Sequence, residues 1–276
     1  MKSRIFVAVI LLLLSAGVIY AQVAIYPPAV FIDAKTRSGS MTVLNQGDDP
    51  KEIDIEPKFG YMAYDSNGNV FTQYKDSVAE SSNSVIPYLT IFPKKFVLQP
   101  KKDQVIRFLI KNIGKIPDGM YYTRIATTSK DVQKQIDTTN LGDKVKIGLS
   151  FKFVFMTVLF FEKGSLNTKV DITSLTTGTD STHIRLNFSF VRDGNAPFLG
   201  TAKLKITNSE GDEVENREDK IPLYFSATRA FPVSKDKLKP GKYKAELTLT
   251  SDQPDIPDEM RVPFEQVTKT FDFVVE

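Results

Sequence analysis

Apolar and polar residues alternate along most of this chain, and this pattern constrains the fold more than any other feature. In the run from Ile184 to Val191, apolar side chains occupy every second position. A strand with one buried and one solvated face requires such a period. Runs of the same kind lie at 40–45, 53–59, 104–110, 120–126, 201–207, 243–250 and 270–275. Because segments of helical period are nearly absent after the first 21 residues, the sequence predicts an all-β protein.

Two of the turns in the sequence stand just before a tyrosine that opens an alternating strand. Tyr121 follows Pro117-Asp118-Gly119, and Tyr243 follows Pro240-Gly241. This is the arrangement of the tyrosine corner, in which the hydroxyl bonds back to nearby backbone in immunoglobulin-like sandwiches. Two corners about one domain length apart predict two immunoglobulin-like β-sandwich domains in tandem. Further turn signals lie at Asn67-Gly68, Asp193-Gly194 and Glu210-Gly211.

The first residues have the layout of a secretory signal peptide. Lys2 and Arg4 precede an apolar run from Ile5 to Leu14, and small residues follow up to Ala21. We expect residues 1–21 to be removed after Ala21 and the protein to be exported. The apolar run is shorter than the ~20 residues of a membrane span, so no stable membrane insertion is expected.

We place the domain boundary near Lys163-Gly164-Ser165, after a long apolar strand and before a polar stretch that reaches Asp180. The predicted domains are therefore 22–164 and 165–276. The sequence contains no cysteine, so the exported protein must be stable without disulfides and has no cysteine for lipid attachment.

Charge and residue types argue against several classes of function. The formal net charge of +3 gives no reason to expect nucleic acid as a partner. His183 is the single histidine, so neither a histidine zinc site nor a Ser-His-acid triad is predicted. In Asp65-Ser66-Asn67-Gly68-Asn69 the glycine comes fourth, which favours a hairpin turn over a calcium loop. We predict no metal, no cofactor and no enzymatic activity.

Several segments of the first half together resemble the amino-terminal domain of the PapD-like periplasmic pilus-assembly chaperones. They are Val23 to Asp33, Ser40 to Asn45, Ile91-Phe92-Pro93 with Leu98-Gln99-Pro100, Gln104 to Arg107, and the turn before Tyr121. The resemblance implies a periplasmic chaperone that stabilises unfolded pilin or adhesin subunits before surface assembly. It also implies an outer-membrane usher as a further partner.

In that family the last strand of the first domain completes the unfinished sandwich of the subunit, a form of β-augmentation. The corresponding segment here is Val145 to Phe161, and we call it the donor strand. Its predicted partner-binding residues are Ile147, Leu149, Phe151, Phe153 and Phe155. From Phe153 to Phe161 both faces are apolar apart from Thr157, which predicts packing inside its own sandwich. The preceding segment, Thr127 to Lys144, is polar and is predicted to be a mobile loop.

Taken alone, the alternation in the donor strand is equally typical of a strand whose apolar side chains line the core of its own domain. The protein would then be an exported structural or adhesive module without chaperone activity.

The family holds the terminal carboxylate of its client with an arginine in the first strand and a lysine in the donor strand, a charge-assisted pair. Here those positions carry Pro27-Pro28 and Val158, and Glu162 stands where the family has an arginine between the domains. Lys152 and Arg37 are our candidate charge anchors, with a solvated surface role as the alternative.

Overall fold

The computed structural model describes residues 23–132 and 151–276. The first part contains β1 (Val23–Tyr26), β2 (Ala29–Asp33), β3 (Ser38–Asn45), β4 (Lys51–Lys58), β5 (Gly60–Tyr64), β6 (Val70–Tyr74), α1 (Ser77–Asn83), β7 (Leu89–Phe92), β8 (Lys95–Leu98), β9 (Asp103–Ile110), β10 (Gly119–Asp131) and β11 (Lys152–Lys163). The second part contains β12 (Thr168–Thr179), β13 (His183–Gly194), β14 (Phe198–Asn208), β15 (Glu213–Leu223), β16 (Ala227–Ser234), β17 (Gly241–Thr250) and β18 (Val267–Val275). Short 3-10 turns lie at Ile86–Tyr88, Ile113–Lys115, Lys235–Lys237 and Asp258–Met260.

The strands form two β-sandwiches, which we call the first and the second sandwich. In the first, one sheet has the order β1-β3-β9-β7 and the other the order β2-β11-β10-β4-β8. In the second, the orders are β12-β13-β16 and β15-β14-β17-β18. Each pair of sheets encloses its own core of alternate apolar side chains, as Ile106, Phe108 and Ile110 of β9 illustrate. The predicted all-β fold of two tandem sandwiches is confirmed, while the exact boundary at residue 164 stays a prediction.

Both tyrosine corners are present. The Tyr121 hydroxyl donates to the Pro117 carbonyl at 2.9 Å, and the Tyr243 hydroxyl donates to the Lys239 carbonyl at 2.8 Å. In each case the phenol reaches the backbone four residues upstream while the ring packs into the core of its sandwich. The corner thus fixes the turn to the strand that follows it.

The predicted first strand, residues 23–33, is in fact two strands in different sheets. β1 pairs antiparallel with β3, whereas β2 pairs parallel with β11. The break falls at Pro27-Pro28, because proline has no N–H for a ladder. One stretch of chain therefore contributes to both layers of the first sandwich.

Two segments of polar composition are strands, and the first of them belongs to the predicted mobile loop. Thr127 to Asp131 continues β10, where Thr127 and Ser129 are buried against the core. The polar stretch that reaches Asp180 contains β12, which pairs with β13. Strand pairing overrides a polar composition in both places, since the partner strand supplies the backbone hydrogen bonds.

A hairpin and a short helix lie between β4 and β7. The Asn67-Gly68 turn joins β5 to β6 as predicted, with Gly68 at a φ of 74°. The Asp65 carboxylate accepts from the N–H groups of Asn67 and Asn69, so it closes the turn. Helix α1 begins after Asp76, whose side chain accepts from the Ala79 N–H. It spans seven residues, too few to show a helical period in the sequence.

The two sandwiches meet through an aromatic cluster. Phe59, Tyr122 and Phe160 from the first sandwich pack near Tyr224 of the second. The Tyr122 and Tyr224 ring centroids are 4.7 Å apart and nearly perpendicular. The β5–β6 turn adds a backbone hydrogen bond from the Ala230 N–H to the Gly68 carbonyl, 2.9 Å long.

Candidate functional site

One edge of β11 is open over half of its length. On one side β11 pairs with β10 along the whole strand, from Lys152 opposite Lys130 to Lys163 opposite Gly119. On the other side β2 pairs only with Val158 to Glu162. In the described part of the chain, no strand covers the outer edge of Lys152 to Thr157. Backbone N–H and C=O groups on such an edge are free to pair with another chain.

Aromatic and aliphatic side chains are exposed along this open edge. Phe151 is 62% exposed, Phe153 57% and Val154 50%. The Phe151 and Phe153 rings stack at a centroid distance of 6.4 Å. Large apolar groups exposed in a row at a free strand edge are the features of a strand-addition surface. We call the outer edge of Lys152 to Thr157, together with Phe151, the donor edge.

Packing inside the first sandwich begins later along β11 than predicted. The sequence predicts that β11 packs inside its own sandwich from Phe153 onward, but Phe153 and Val154 lie in solvent. Phe155 is half-buried against the core, and Leu159 and Phe161 are fully inside it. The prediction was wrong by two residues, because no strand among the described residues pairs with this end of β11 on its outer side.

Part of the predicted site lies outside the described residues. Ile147 and Leu149 belong to the segment 133–150, so their place in the donor strand stays a prediction. Phe151, Phe153 and Phe155 lie in the described part, and Phe153 and Phe155 share one face of β11.

Ion pairs hold the strands next to the donor edge in place. Lys51 at the start of β4 pairs with Asp131 at the end of β10, and the Lys51 side chain is almost completely buried. The Lys130 Nζ lies 2.6 Å from a Glu52 carboxylate oxygen. Since Lys130 stands opposite Lys152, these contacts support the first residues of β11.

The two candidate charge anchors are far apart. Lys152 is exposed at the start of β11. Arg37 lies in the turn after β2, where its N–H donates to the Asp33 carbonyl and its own carbonyl accepts from the Ile110 N–H. Because β2 runs parallel to β11, the turn lies at the far end of that strand, roughly 30 Å from Lys152 at about 3.3 Å per residue. The structure does not bring the two cations together.

Glu162 stands opposite Asp33, the last residue of β2. Its Oε1 atom is buried and has no hydrogen-bond donor among the described residues. Burial and the Asp33 charge raise the pKa of Glu162 to about 7. The pKa of Asp33 is lowered, chiefly by the hydrogen bond from the Thr36 N–H, so Asp33 keeps its charge while Glu162 takes up a proton.

Sequence reasoning missed Arg124, which stands on β10 directly opposite Val158. Its side chain is on the face of the sheet that meets the second sandwich, and only 8% of the residue is exposed. The signal in the sequence is that Arg124, a charged residue, stands between Tyr122 and Ala126 on one face of a strand. Its neighbours across the sheet, however, depend on a strand register that the sequence does not show.

The remaining polar candidates have structural partners. His183 opens β13, and its Nδ1 atom lies 2.8 Å from the Thr182 hydroxyl. Asp258, which stands next to Glu259 in the sequence, forms an ion pair with Arg261 at 3.1 Å. Within residues 23–132 and 151–276, no three acidic or histidine side chains are grouped as a metal site would require. The helices in those ranges include none with the length and apolar character needed to cross a membrane.

No protein-family model and no curated protein sequence matches the chain. It is similar to the solved structure of the YadV chaperone, with 9% identity over 92% of this chain and 100% of that one and a TM-score of 0.47. A chain of the chaperone–tip adhesin complex of CFA/I fimbriae biogenesis shares 14% identity, with 91% and 98% covered and a TM-score of 0.45.

A third similar structure is a chain of the CsuC–CsuE chaperone–tip adhesion subunit complex of Csu pili from Acinetobacter baumannii. It shares 10% identity, with 90% and 98% covered and a TM-score of 0.45. The first of these solved structures is a chaperone, and the other two are chains of complexes between a chaperone and a tip subunit. The function proposed below rests on the geometry of the donor edge.

Proposed function

We propose that this protein is a periplasmic chaperone that binds exported subunits of pili or adhesins by adding its donor edge to their unfinished sandwiches. The observation that carries the proposal is the outer edge of Lys152 to Thr157, which no strand in residues 23–132 or 151–276 covers, with Phe151 and Phe153 in solvent. A segment of the subunit would pair with the backbone of β11, and alternate side chains of β11 would fill the open groove of the subunit. Release of the segment would return the subunit to assembly, with an outer-membrane usher as the acceptor.

The exposed side chains supply enough binding energy for a reversible complex. Burying one fully exposed large apolar side chain is worth about 1.5–3 kcal/mol, so Phe151 and Phe153, which are 62% and 57% exposed, together contribute about 2–4 kcal/mol. Ile147 and Leu149, if they continue the same face, double that amount. The ordering of the partner segment reduces the net value.

No catalytic chemistry is needed for this role. Strand addition requires a rigid edge and an apolar face, and β4 and β10 provide the support. We therefore propose that the protein is a binding protein and not an enzyme.

The proposal is tested by placing charge on the donor edge. The double variant Phe151→Asp and Phe153→Asp should lose binding to a co-expressed exported subunit, because aspartate does not enter an apolar groove. Its melting temperature should stay within about 1 °C of the wild type, since both side chains are exposed. Phe92→Asp is the matched control: it replaces an aromatic residue that is 72% exposed on the other sheet of the same sandwich.

The second candidate is an exported structural or adhesive module, favoured by the packing of Phe155 to Phe161 into the protein's own core. Hydrogen exchange over β11 separates the two. For a chaperone, the outward-pointing amides among Lys152 to Thr157 exchange fast in the free protein and slowly in the complex, whereas the other amides of this segment already pair with β10. Unchanged subunit binding by the double variant, or slow exchange of the outward-pointing amides in the free protein, would rule out strand addition.

A further inference from the structure

The outer edge of β5 carries backbone groups without a partner. Of the strands in the described part of the chain, only β6 pairs with β5. The turn fixes which groups point outward, because the Asp65 N–H donates to the Asn69 carbonyl and opens the ladder with a bonded pair. Bonded and non-bonded pairs alternate in an antiparallel ladder, so Met62 and Tyr64 direct their N–H and C=O groups away from β6. Within the described ranges these outward groups have no hydrogen-bond partner.

A groove of about 480 Å³ lies along this free edge. All four residues from Tyr61 to Tyr64 line it, and no residue of β6 does. Successive side chains of a strand point to opposite faces. A groove that borders four successive residues, but not the neighbouring strand, therefore lies at the outer edge of β5. Its volume is within the range of pockets that hold ligands, and we call it the β5 groove.

Helix α1 and the connection from β15 to β16 form the other walls of the β5 groove. Val78 of α1 is 79% exposed, and Phe225 of the connection is 36% exposed. The Tyr64 hydroxyl donates to the Pro222 carbonyl at 3.1 Å, which fixes one end of β5 to the second sandwich. At the other end the ring centroids of Tyr61 and Phe225 are 5.0 Å apart. The walls are therefore fixed in the folded protein, while apolar groups at the rim stay in contact with water.

Asp76 is the one charged side chain among the described residues that line the β5 groove. Its carboxylate accepts hydrogen bonds from the Tyr61 hydroxyl at 2.6 Å and from the Ala79 N–H at 3.0 Å. These bonds, chiefly the one from Tyr61, lower the pKa of Asp76, so the carboxylate is ionised at neutral pH. No cation contributes to this shift. Charge complementarity therefore favours a ligand with a basic side chain.

We infer that the β5 groove binds an extended segment of a partner polypeptide by strand addition, with a lysine or arginine of that segment beside Asp76. The backbone of the segment pairs with Met62 and Tyr64, and the walls of the groove select its side chains. An aliphatic side chain of the segment contacts Val78 and Phe225. The site is separate from the donor edge, because β5 and β11 belong to different sheets.

The test uses a six-residue peptide that alternates valine and threonine around one central lysine, with both ends blocked. Binding to the purified protein is followed by NMR on the amides of Met62 and Tyr64, which should shift and exchange more slowly in the complex. A peptide with glutamate in place of the lysine should bind about five- to tenfold more weakly, because it meets the charge of Asp76. Asp76→Asn retains an N-cap side chain for α1 and should remove this difference.

Two proline variants test whether the edge itself binds. Met62 and Thr72 face each other as a non-bonded pair, so their N–H groups point outward on opposite edges of the hairpin. Met62→Pro should abolish binding, whereas Thr72→Pro, on the edge away from the groove, should retain it. Slow exchange of the Ala63 amide, which pairs with β6, checks that the hairpin is intact in both variants.

A modified peptide gives the same test without a change in the protein. Methylation of the nitrogens of its two central residues blocks pairing along either edge of the peptide and should abolish binding. The double variant Phe151→Asp and Phe153→Asp should bind the unmodified peptide as the wild type does, because the donor edge is not involved.

Four results would overturn the inference. A peptide that shifts the amides of Lys152 to Thr157, and not those of Met62 and Tyr64, excludes the β5 groove and leaves the proposed function intact. Binding that survives methylation of the peptide, or Met62→Pro with an intact hairpin, excludes strand addition to β5. Equal binding of the lysine and glutamate peptides excludes selection of a basic side chain. Protection of both amides that rises with protein concentration in the absence of peptide assigns the groove to a second copy of this chain.

Discussion

Replacing Glu162 by glutamine should stabilise the first sandwich at pH 8 and change it little at pH 4. The carboxyl group is half-buried beside Asp33, and its pKa in the folded protein is raised to about 7 from an ordinary value of 4.5. The folded state therefore binds more protons than the unfolded state between these two values. By linkage, stability falls as the pH rises through that window, and the penalty is fully present above pH 7.

The magnitude follows from the size of the shift. A displacement of this size corresponds to about 3 kcal/mol for a carboxyl group shielded from water, at 1.36 kcal/mol per pKa unit. Glu162 is only partly buried, so solvent screening reduces the expected gain to about 1–2 kcal/mol. Each kcal/mol moves the melting temperature of a protein of this size by about 2–4 °C.

Calorimetric melting curves from pH 4 to pH 8 provide the measurement. The wild type should lose stability between about pH 4.5 and pH 7 relative to Glu162→Gln. Glu265→Gln is the control, because Glu265 is exposed and should leave the pH dependence unchanged. Parallel curves for the wild type and Glu162→Gln, or a variant less stable at pH 8, would refute the role assigned to burial and to Asp33.

Two further substitutions test the fold itself. Tyr121→Phe removes the hydroxyl that bonds to the Pro117 carbonyl and should cost about 0.5–1.5 kcal/mol in urea unfolding, and no loss would mean that the corner is held by ring packing alone. Gly68→Val should loosen the contact between the sandwiches, because a Cβ there would lie 2.4 Å from the Ala230 nitrogen and the φ of 74° disfavours valine. Faster hydrogen exchange at residues 60–74 with an intact second sandwich is the expected result, and unchanged exchange would contradict it.

The sequence by itself determined the class of fold and several local structures. Alternation predicted the strands, and the turns before Tyr121 and Tyr243 predicted both corners, because these signals depend only on residues close together in the chain. The Asn67-Gly68 hairpin follows from the same local chemistry. The two-residue period also places Phe151 and Phe153, which are exposed in the structure, on one face of the donor strand.

Only the tertiary structure decided which part of β11 is open. A period of two shows which side chains share a face, but it does not show which strand covers an edge or where that strand begins. The start of β2 at Ala29, opposite Val158, leaves the outer edge of Lys152 to Thr157 without a partner strand in the described part of the chain. The pairing of Arg124 with Lys58 is likewise a matter of register between strands distant in the chain, so no local pattern predicts it.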